Sequence, residues 1–185
     1  MSDAGATLRR VVEALDASGA KHMVVGSFAS TFHGEPRTTR DIDIVVEAGP
    51  EEIDRFLASL PDSKWYADAD AARDALKRRS MFNVIDLETG WKVDVIFLKR
   101  DAFAESEFSR RFVTELLGTR VFVASAEDTI LSKLAWARES GSERQLSDAA
   151  GIVASCGDAL DRTYIDRWAA ELDVTDPWQR ISGEA

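Results

Sequence analysis

Residues 23–47 read MVVGSFASTFHGEPRTTRDIDIVVE, and two aspartates, Asp41 and Asp43, stand inside the second of its two apolar runs. The first apolar run ends at Gly26-Ser27. Successive side chains of a β-strand point to opposite faces, so Asp41 and Asp43 share one face and the intervening isoleucine points to the other. Two neighbouring carboxylates repel each other, and a divalent cation such as Mg²⁺ removes that cost. The stretch therefore predicts a strand with a cation-binding face.

A third aspartate occupies a similar position farther along the chain. Asp94 is the central residue of GWKVDVIFL, residues 90–98, where a valine flanks it on each side. A single Asp-x-Asp pair is common at solvated strand ends, but a third acid in mid-strand together with Gly26-Ser27 favours a functional site. Gly26 allows a ligand to approach the backbone closely, and Ser27 with nearby N–H groups at a helix start can bind phosphate. The sequence contains neither a GxxxxGK[ST] loop nor a GxGxxG loop.

Hydrophobic periodicity predicts an α+β protein in two parts. The apolar residues Leu8, Val11 and Leu15 have the spacing of an amphipathic helix. Two apolar runs, 81–87 and 91–98, are separated by a Gly-containing loop and predict an antiparallel hairpin. Further predicted elements are strands at 22–25, 41–46 and 120–123, a partly helical region at 62–77, and helices at 51–60, 101–117, 126–139, 144–155 and 161–172. We predict a mixed sheet flanked by helices over 1–124 and a helical segment over 125–185.

Composition limits the class of protein. The net charge is −10, and the compact basic cluster Lys77-Arg78-Arg79 is small, which argues mildly against an extended nucleic-acid footprint. Cys156 is alone, so no intrachain disulfide can form. No window approaches the ~18 apolar residues of a membrane span, and the N-terminus lacks the apolar region of a signal peptide. We expect a cytoplasmic protein with no membrane partner.

The motifs together resemble the polymerase-beta-like nucleotidyltransferase superfamily. The resemblance rests on an apolar strand, Gly26-Ser27, thirteen intervening residues, Asp41-Ile42-Asp43, and the later Val93-Asp94-Val95. Within that superfamily, HGEPRTTRDIDIVV and AEDTILSKLAWARESGSERQLSDAAGIV are similar to the minimal bacterial AbiEii-type and related branch. Relatives more usually read Arg-Asp-Leu-x-Asp where this chain reads RQLSD at 144–148, so the first acid of the second motif is absent.

The resemblance implies an enzyme that transfers a nucleoside monophosphate from an NTP to an acceptor hydroxyl and releases pyrophosphate. It implies two Mg²⁺ ions that stabilise the incoming and leaving oxygens. Asp41 and Asp43 would hold both ions, while Asp94 would bind the catalytic ion and help to deprotonate the acceptor. Asp41, Asp43 and Asp94 are thus both the catalytic and the metal-binding residues that the resemblance predicts.

The resemblance also implies a set of nucleotide-binding residues. They are Gly26, Ser27, Arg37, Lys133 and Asp148. Lys133 would reach the triphosphate as a point charge, although a lysine on a helix is commonly a solvated surface residue. Arg37 is preferred slightly over Arg40 as a phosphate ligand. Asp148 would orient Lys133 or Arg144, or would simply form an i,i+4 pair with Arg144.

The acceptor and the biological role stay open at the level of sequence. The acceptor could be the 3′ end of an RNA such as a tRNA, a protein side chain or a small molecule, and a cognate toxin or antitoxin partner is possible. An alternative function is a non-catalytic nucleotide- or protein-binding module that retains the fold. A third is a structural cation site, which predicts a melting temperature that depends on metal but not on NTP. Trp136 and Trp168 are interpreted as helix-packing residues, not base-stacking platforms.

Overall fold

A computed structural model of the protein describes residues 2–36 and 38–183. The strands are β1 (Lys21–Val24), β2 (Asp41–Glu47), β3 (Trp65–Ala67), β4 (Met81–Asp86), β5 (Lys92–Phe97), β6 (Phe112–Leu116) and β7 (Thr119–Val123). The α-helices are α1 (Asp3–Ser18), α2 (Gly26–His33), α3 (Pro50–Ala58), α4 (Ala69–Arg78), α5 (Ala102–Arg110), α6 (Ala126–Ser140), α7 (Glu143–Cys156), α8 (Arg162–Glu171) and α9 (Thr175–Ser182). These elements confirm the predicted α+β class.

The chain divides into two compact units. The first comprises the chain up to Val25 together with Thr39–Val123, and the second comprises the described part of 26–38 and the chain from Ala124 onward. All of the strands lie in the first unit. The second unit is helical: α6 contacts α2, α7 and α8, and α7 contacts α2 and α9.

The strands of the first unit form one mixed seven-stranded sheet in the order β3-β4-β5-β2-β1-β7-β6. The β2–β5 and β1–β7 pairs are parallel, and the other pairs are antiparallel. Helix α1 contacts β1 and β7, α4 contacts β4, and α3 packs against α1 and α4. Strands β2 and β5 therefore lie side by side in the interior of the sheet.

Helix α1 shows how the local sequence defines an element of the first unit. The Ser2 hydroxyl accepts a hydrogen bond from the Gly5 N–H and caps the start of the helix. Leu8 and Leu15 on its apolar face are fully buried, as the periodicity predicts. The helix ends at Gly19, whose φ of 82° is the left-handed conformation that glycine adopts without strain.

The predicted helix over 101–117 is wrong in its second half. Helix α5 ends at Arg110, and Phe112–Leu116 is instead the edge strand β6, paired with β7. Leu117 and Gly118 join the two strands, with φ angles of 51° and 78°. A two-residue connection with positive φ at both positions is the hairpin turn that matches the natural twist of paired strands. The aromatic and β-branched residues of β6 favour the extended conformation.

Two further elements differ from the sequence prediction. Residues Trp65–Ala67, inside a region predicted to be partly helical, form β3 and pair with β4. Thr175–Ser182, which lies beyond the last predicted helix at 161–172, forms α9, and its residue Trp178 is almost completely buried. Each short element is stabilised mainly by packing against a neighbour, which local periodicity does not encode.

None of the helices in the described part of the chain combines the length and the apolar character that crossing a membrane requires.

Candidate functional site

The candidate site of the first unit is the carboxylate cluster, which we define as Asp41, Asp43 and Asp94. On β2 the side chains of Ile42, Ile44 and Val46 are fully buried, and the alternate positions are partly exposed. Asp43 of β2 lies directly opposite Asp94 of β5 in the parallel register. Because opposite residues of paired strands project from the same face, the cluster occupies one face of two adjacent strands.

Two neighbouring side chains contact the carboxylate of Asp94. The side-chain amide of Asn83, opposite it on β4, donates to Oδ1 at 2.5 Å. The ammonium of Lys92, two residues earlier on β5, donates to Oδ2 at 3.0 Å. Asp94 is 8% exposed, so these contacts satisfy a carboxylate that is largely removed from water.

Lys92 also connects Asp94 to Asp41. Lys92 lies opposite Asp41 in the β2–β5 register, and its Nζ is 3.4 Å from Oδ1 of Asp41. Desolvation acts to lower the pKa of Lys92, but the hydrogen bonds and negative charges of Asp94 and Asp41 outweigh it and raise the pKa above the usual 10.5. Lys92 is therefore held as an ammonium ion between two members of the carboxylate cluster.

The composition of the cluster suits a hard divalent cation, because carboxylate oxygens are the ligands that Mg²⁺ prefers. Its present arrangement is nevertheless not a ready metal site. Among the described residues, no three His, Cys, Asp or Glu side chains stand together in a way that would hold a metal ion. The ammonium of Lys92 contacts oxygens that a metal bound by Asp41 and Asp94 would need. The cluster thus fits the cation by chemistry and by strand register, provided that Lys92 moves.

The second unit contains the glycine and serine that follow the first strand. Helix α2 begins at Gly26, whose φ of 61° is left-handed and so suits glycine. Ser27 is the second residue of this helix and is 8% exposed. The start of α2 accordingly has the short glycine turn that the sequence predicted at the end of an apolar strand.

Lys133 and Asp148 form an ion pair in the second unit. Lys133 on α6 is 5% exposed, and its Nζ donates to Oδ2 of Asp148 on α7 at 2.7 Å. The interpretation of Lys133 as a solvated surface residue is therefore wrong, because a buried ammonium with a carboxylate partner is held in one place. Lys133 and Arg144 were both predicted as partners of Asp148, and the structure shows the ion pair with Lys133.

A small cavity borders this ion pair. It has a volume of about 180 Å³ and is lined by Ser30, Glu35, Pro36, Ser147, Asp148 and Gly151. Its residues come from α2, the segment after α2, and α7. The lining is mostly polar and includes two acids, so the cavity offers hydrogen-bond acceptors beside the Lys133–Asp148 pair.

Sequence reasoning missed Lys92 and Asn83. Lys92 could have been found, because it is two residues from Asp94 on the same strand and so shares its face. Asn83 depends on the exact register of the β4–β5 hairpin, which the apolar pattern does not specify. Arg37, predicted to bind nucleotide, lies outside the described residues.

Two tryptophans that were predicted to pack between helices, Trp168 and Trp136, differ in burial. Trp168 is 6% exposed on α8, which confirms it as a packing residue. Trp136 is 59% exposed on α6, so the prediction that it packs between helices is wrong.

No family model matches the sequence, and no curated protein matches it. Solved structures do match its fold. An antigenic nucleotidyltransferase-like protein from Paracoccidioides brasiliensis is 16% identical and gives a TM-score of 0.56, with 100% of this chain and 94% of that chain covered. The chain has the nucleotidyltransferase fold.

Two antibiotic-related structures have the same fold. ANT(2″)-Ia in complex with adenylyl-2″-tobramycin is 13% identical with a TM-score of 0.60, and the match covers 93% of this chain and 98% of that one. The lincosamide antibiotic adenylyltransferase LnuA, bound to lincomycin, is 14% identical with a TM-score of 0.51, over 77% of this chain and 91% of that one. At these identities the likeness establishes the nucleotidyltransferase fold and leaves the activity to be argued from the residues.

Proposed function

We propose that this protein is a cytoplasmic, metal-dependent nucleotidyltransferase that moves a nucleoside monophosphate from an NTP to an acceptor hydroxyl. The observation that carries the proposal is the carboxylate cluster, with Asp43 directly opposite Asp94 on adjacent interior strands and Asp41 on the same face. The Lys92 ammonium offsets one of these three negative charges, and a divalent cation would offset the rest. The nucleotidyltransferase fold supports this assignment.

In the proposed reaction the acceptor oxygen bonds to the α-phosphorus while the bond from that phosphorus to the bridging oxygen breaks, and pyrophosphate leaves. The Asp94 carboxylate accepts the proton of the acceptor hydroxyl. Asp41, Asp43 and Asp94 would hold the divalent ions, for which we propose two Mg²⁺. When bound, these ions neutralise the negative charge on the phosphate oxygens.

Four of the described residues are proposed for nucleotide binding: Gly26, Ser27, Lys133 and Asp148. Lys133 provides a positive charge for the triphosphate, and Asp148 holds its ammonium in position at 2.7 Å. Gly26 and Ser27 provide backbone N–H groups and a hydroxyl at the start of α2, where phosphate is favoured. Arg37 remains a proposed phosphate ligand from the sequence.

Net charge favours some acceptors over others. A protein of net charge −10 repels long nucleic acids, so an extended RNA footprint is the least favoured choice, although a tRNA 3′ end stays in the test. Two proteins with this fold have been solved in complex with adenylyl-2″-tobramycin and with lincomycin. We therefore place small hydroxyl-bearing molecules first among the acceptors, followed by protein side chains.

The test is transfer of label from each α-phosphate-labelled NTP in the presence of Mg²⁺. Bulk tRNA, a cell protein extract, tobramycin and lincomycin serve as separate acceptors. We expect the native protein to label one acceptor class and Asp43→Asn to lose roughly two to three orders of magnitude in rate, the range found when one group that stabilises the transition state is removed.

Asp70→Asn is the matched control for this experiment. Asp70 is an acid of the same unit whose side chain is 98% exposed in a surface pair with Arg73, so its loss should leave the rate unchanged. Equal labelling by the native protein and Asp43→Asn, or no NTP binding by either, would refute the enzymatic proposal.

A non-catalytic module that keeps the fold is the second candidate. The observation in its favour is the Lys92 ammonium, which offsets part of the negative charge of the cluster without any metal. Such a module would act as one partner of an AbiEii-like pair and would bind a cognate toxin or antitoxin. If expression of the native protein arrests growth and the Asp43→Asn variant does not, a toxin role is supported. If both proteins arrest growth, a binding function is indicated.

A further inference from the structure

Lys92 is the positive group that lies closest to the carboxylate cluster among the contacts described above. Its Nζ is 3.0 Å from Oδ2 of Asp94 and 3.4 Å from Oδ1 of Asp41. The side chain is 38% exposed, while that of Asp94 is 11% exposed. Lys92 thus reaches from the edge of the cluster to its most buried member.

These contacts order the cluster without a metal. Strand pairing fixes the backbone of Asp41 and Asp94, and the shared ammonium fixes the orientation of both carboxylates. Asn83 holds the second oxygen of Asp94 at 2.5 Å. The two carboxylates that Lys92 contacts are therefore oriented before any ligand arrives.

The same contacts oppose the binding of free metal ions. A divalent cation held by Asp41 and Asp94 would have to replace the Lys92 ammonium, because two cations a few ångströms apart repel each other strongly. A metal ion that arrives with a triphosphate brings negative charge with it and meets less of this repulsion. The displaced ammonium then has phosphate oxygens as alternative partners.

We infer that Lys92 is a positioning residue that acts as a built-in counter-cation: it orders the carboxylate cluster and weakens its affinity for free divalent metal. The inference rests on the proposed function, since it takes the cluster to be the metal-binding site. It assigns to Lys92 a role that the catalytic acids themselves do not have.

The test measures binding of Mn²⁺ alone to the full chain by the loss of its free-ion electron paramagnetic resonance signal. Lys92→Met removes the charge and keeps the approximate length of the side chain. We expect Mn²⁺ to bind Lys92→Met roughly tenfold more tightly than the native protein, because a unit charge a few ångströms from the site is removed. Adding Asp43→Asn to Lys92→Met should abolish the gain.

Three variants serve as controls. Lys92→Arg keeps the charge and should keep the native Mn²⁺ affinity. Lys21→Met removes another cross-strand lysine, paired with Glu47 at 2.9 Å near the far end of β2, and should also bind like the native protein. Lys92→Gln removes the charge but can still donate a hydrogen bond to Asp94, so it replaces Lys92→Met if that variant does not fold.

The outcomes separate this inference from the proposed function. Mn²⁺ affinity that is equal in the native protein and in the uncharged Lys92 variants overturns the inference, whatever the label-transfer result. No Mn²⁺ binding by any variant, with label transfer by the native protein intact, also overturns it and leaves the function standing. Absence of both metal binding and label transfer overturns the two together.

Discussion

Asp128 is a buried carboxyl group that serves structure rather than catalysis. It is completely buried at the start of α6, where Oδ2 accepts from the Ser125 hydroxyl at 2.6 Å and Oδ1 accepts from the Tyr164 hydroxyl at 2.5 Å. The Ser125 hydroxyl in turn accepts from the Asp128 N–H and caps the helix. Burial without such donors would cost several kcal/mol, so this network connects α6 to α8.

We expect Tyr164→Phe to lower the free energy of unfolding by about 1–3 kcal/mol, because buried Asp128 loses the hydrogen bond from the Tyr164 hydroxyl while the ring packing is kept. Urea denaturation followed by circular dichroism measures the change. Tyr66→Phe is the control, since Tyr66 is 56% exposed and its hydroxyl should contribute less than about 0.5 kcal/mol. Similar losses in both variants would show that the hydroxyl of Tyr164 is not special.

The residue that follows helix α2, Gly34, lies very close to helix α7. A Cβ atom added at Gly34 would lie 3.1 Å from the Ile152 nitrogen and 3.1 Å from the Ser30 carbonyl oxygen, both backbone atoms. A Cβ atom added at Gly151, the neighbour of Ile152 within α7, would have no atom within 4 Å. There is therefore room for an added Cβ atom at Gly151 but not at Gly34.

Gly34→Ala should destabilise the protein by about 1–3 kcal/mol, since backbone atoms cannot move aside as a flexible side chain can. Gly151→Ala should stabilise it by about 0.5–1 kcal/mol, because alanine is the better residue inside a helix. Urea midpoints of the two variants give the comparison. Changes of the same sign would mean that the approach of α2 to α7 is looser than the structure shows.

For the whole molecule, the two histidines of the chain couple stability to pH. Burial lowers the pKa of His22 in the first unit and of His33 in the second, more than their hydrogen bonds to the carbonyls of Ala20 and Ala124 raise it. The unfolded chain therefore binds more protons than the folded chain below the usual histidine pKa of 6.5.

We expect the free energy of unfolding to fall as the pH drops from 6.5 towards the lowered pKa values, since each buried histidine favours its neutral form. Urea midpoints at a series of pH values above and below 6.5 measure the fall in the free energy of unfolding. The double variant His22→Asn, His33→Gln keeps an N–H donor at each site and removes the titration, so its decline should be shallower. If the free energy of unfolding falls as steeply with pH in the double variant as in the native protein, carboxylates and not the histidines cause the fall.

Local sequence was sufficient for much of the fold and for the shared face of Asp41 and Asp43 in the carboxylate cluster. The alternation of aspartate and isoleucine in β2 determines which residues share a face, because the period of a strand is two. The apolar spacing of α1 and of the helices after residue 124 likewise predicted elements close to those observed. The roles of Asp41, Asp43 and Asp94 in catalysis stay predictions that the label-transfer experiment addresses.

The order of residues along a strand or helix is enough to predict which side chains share a face, because that depends only on near neighbours in the chain. The contacts between faces are visible only in the folded protein: Asn83 beside Asp94, Lys92 between two acids, Lys133 buried against Asp148, and helix α2 packed with α6 and α7. Strand register and helix packing depend on contacts between residues far apart in sequence. Pairing with β7 likewise explains why Phe112–Leu116 is strand β6 and not the second half of the predicted helix.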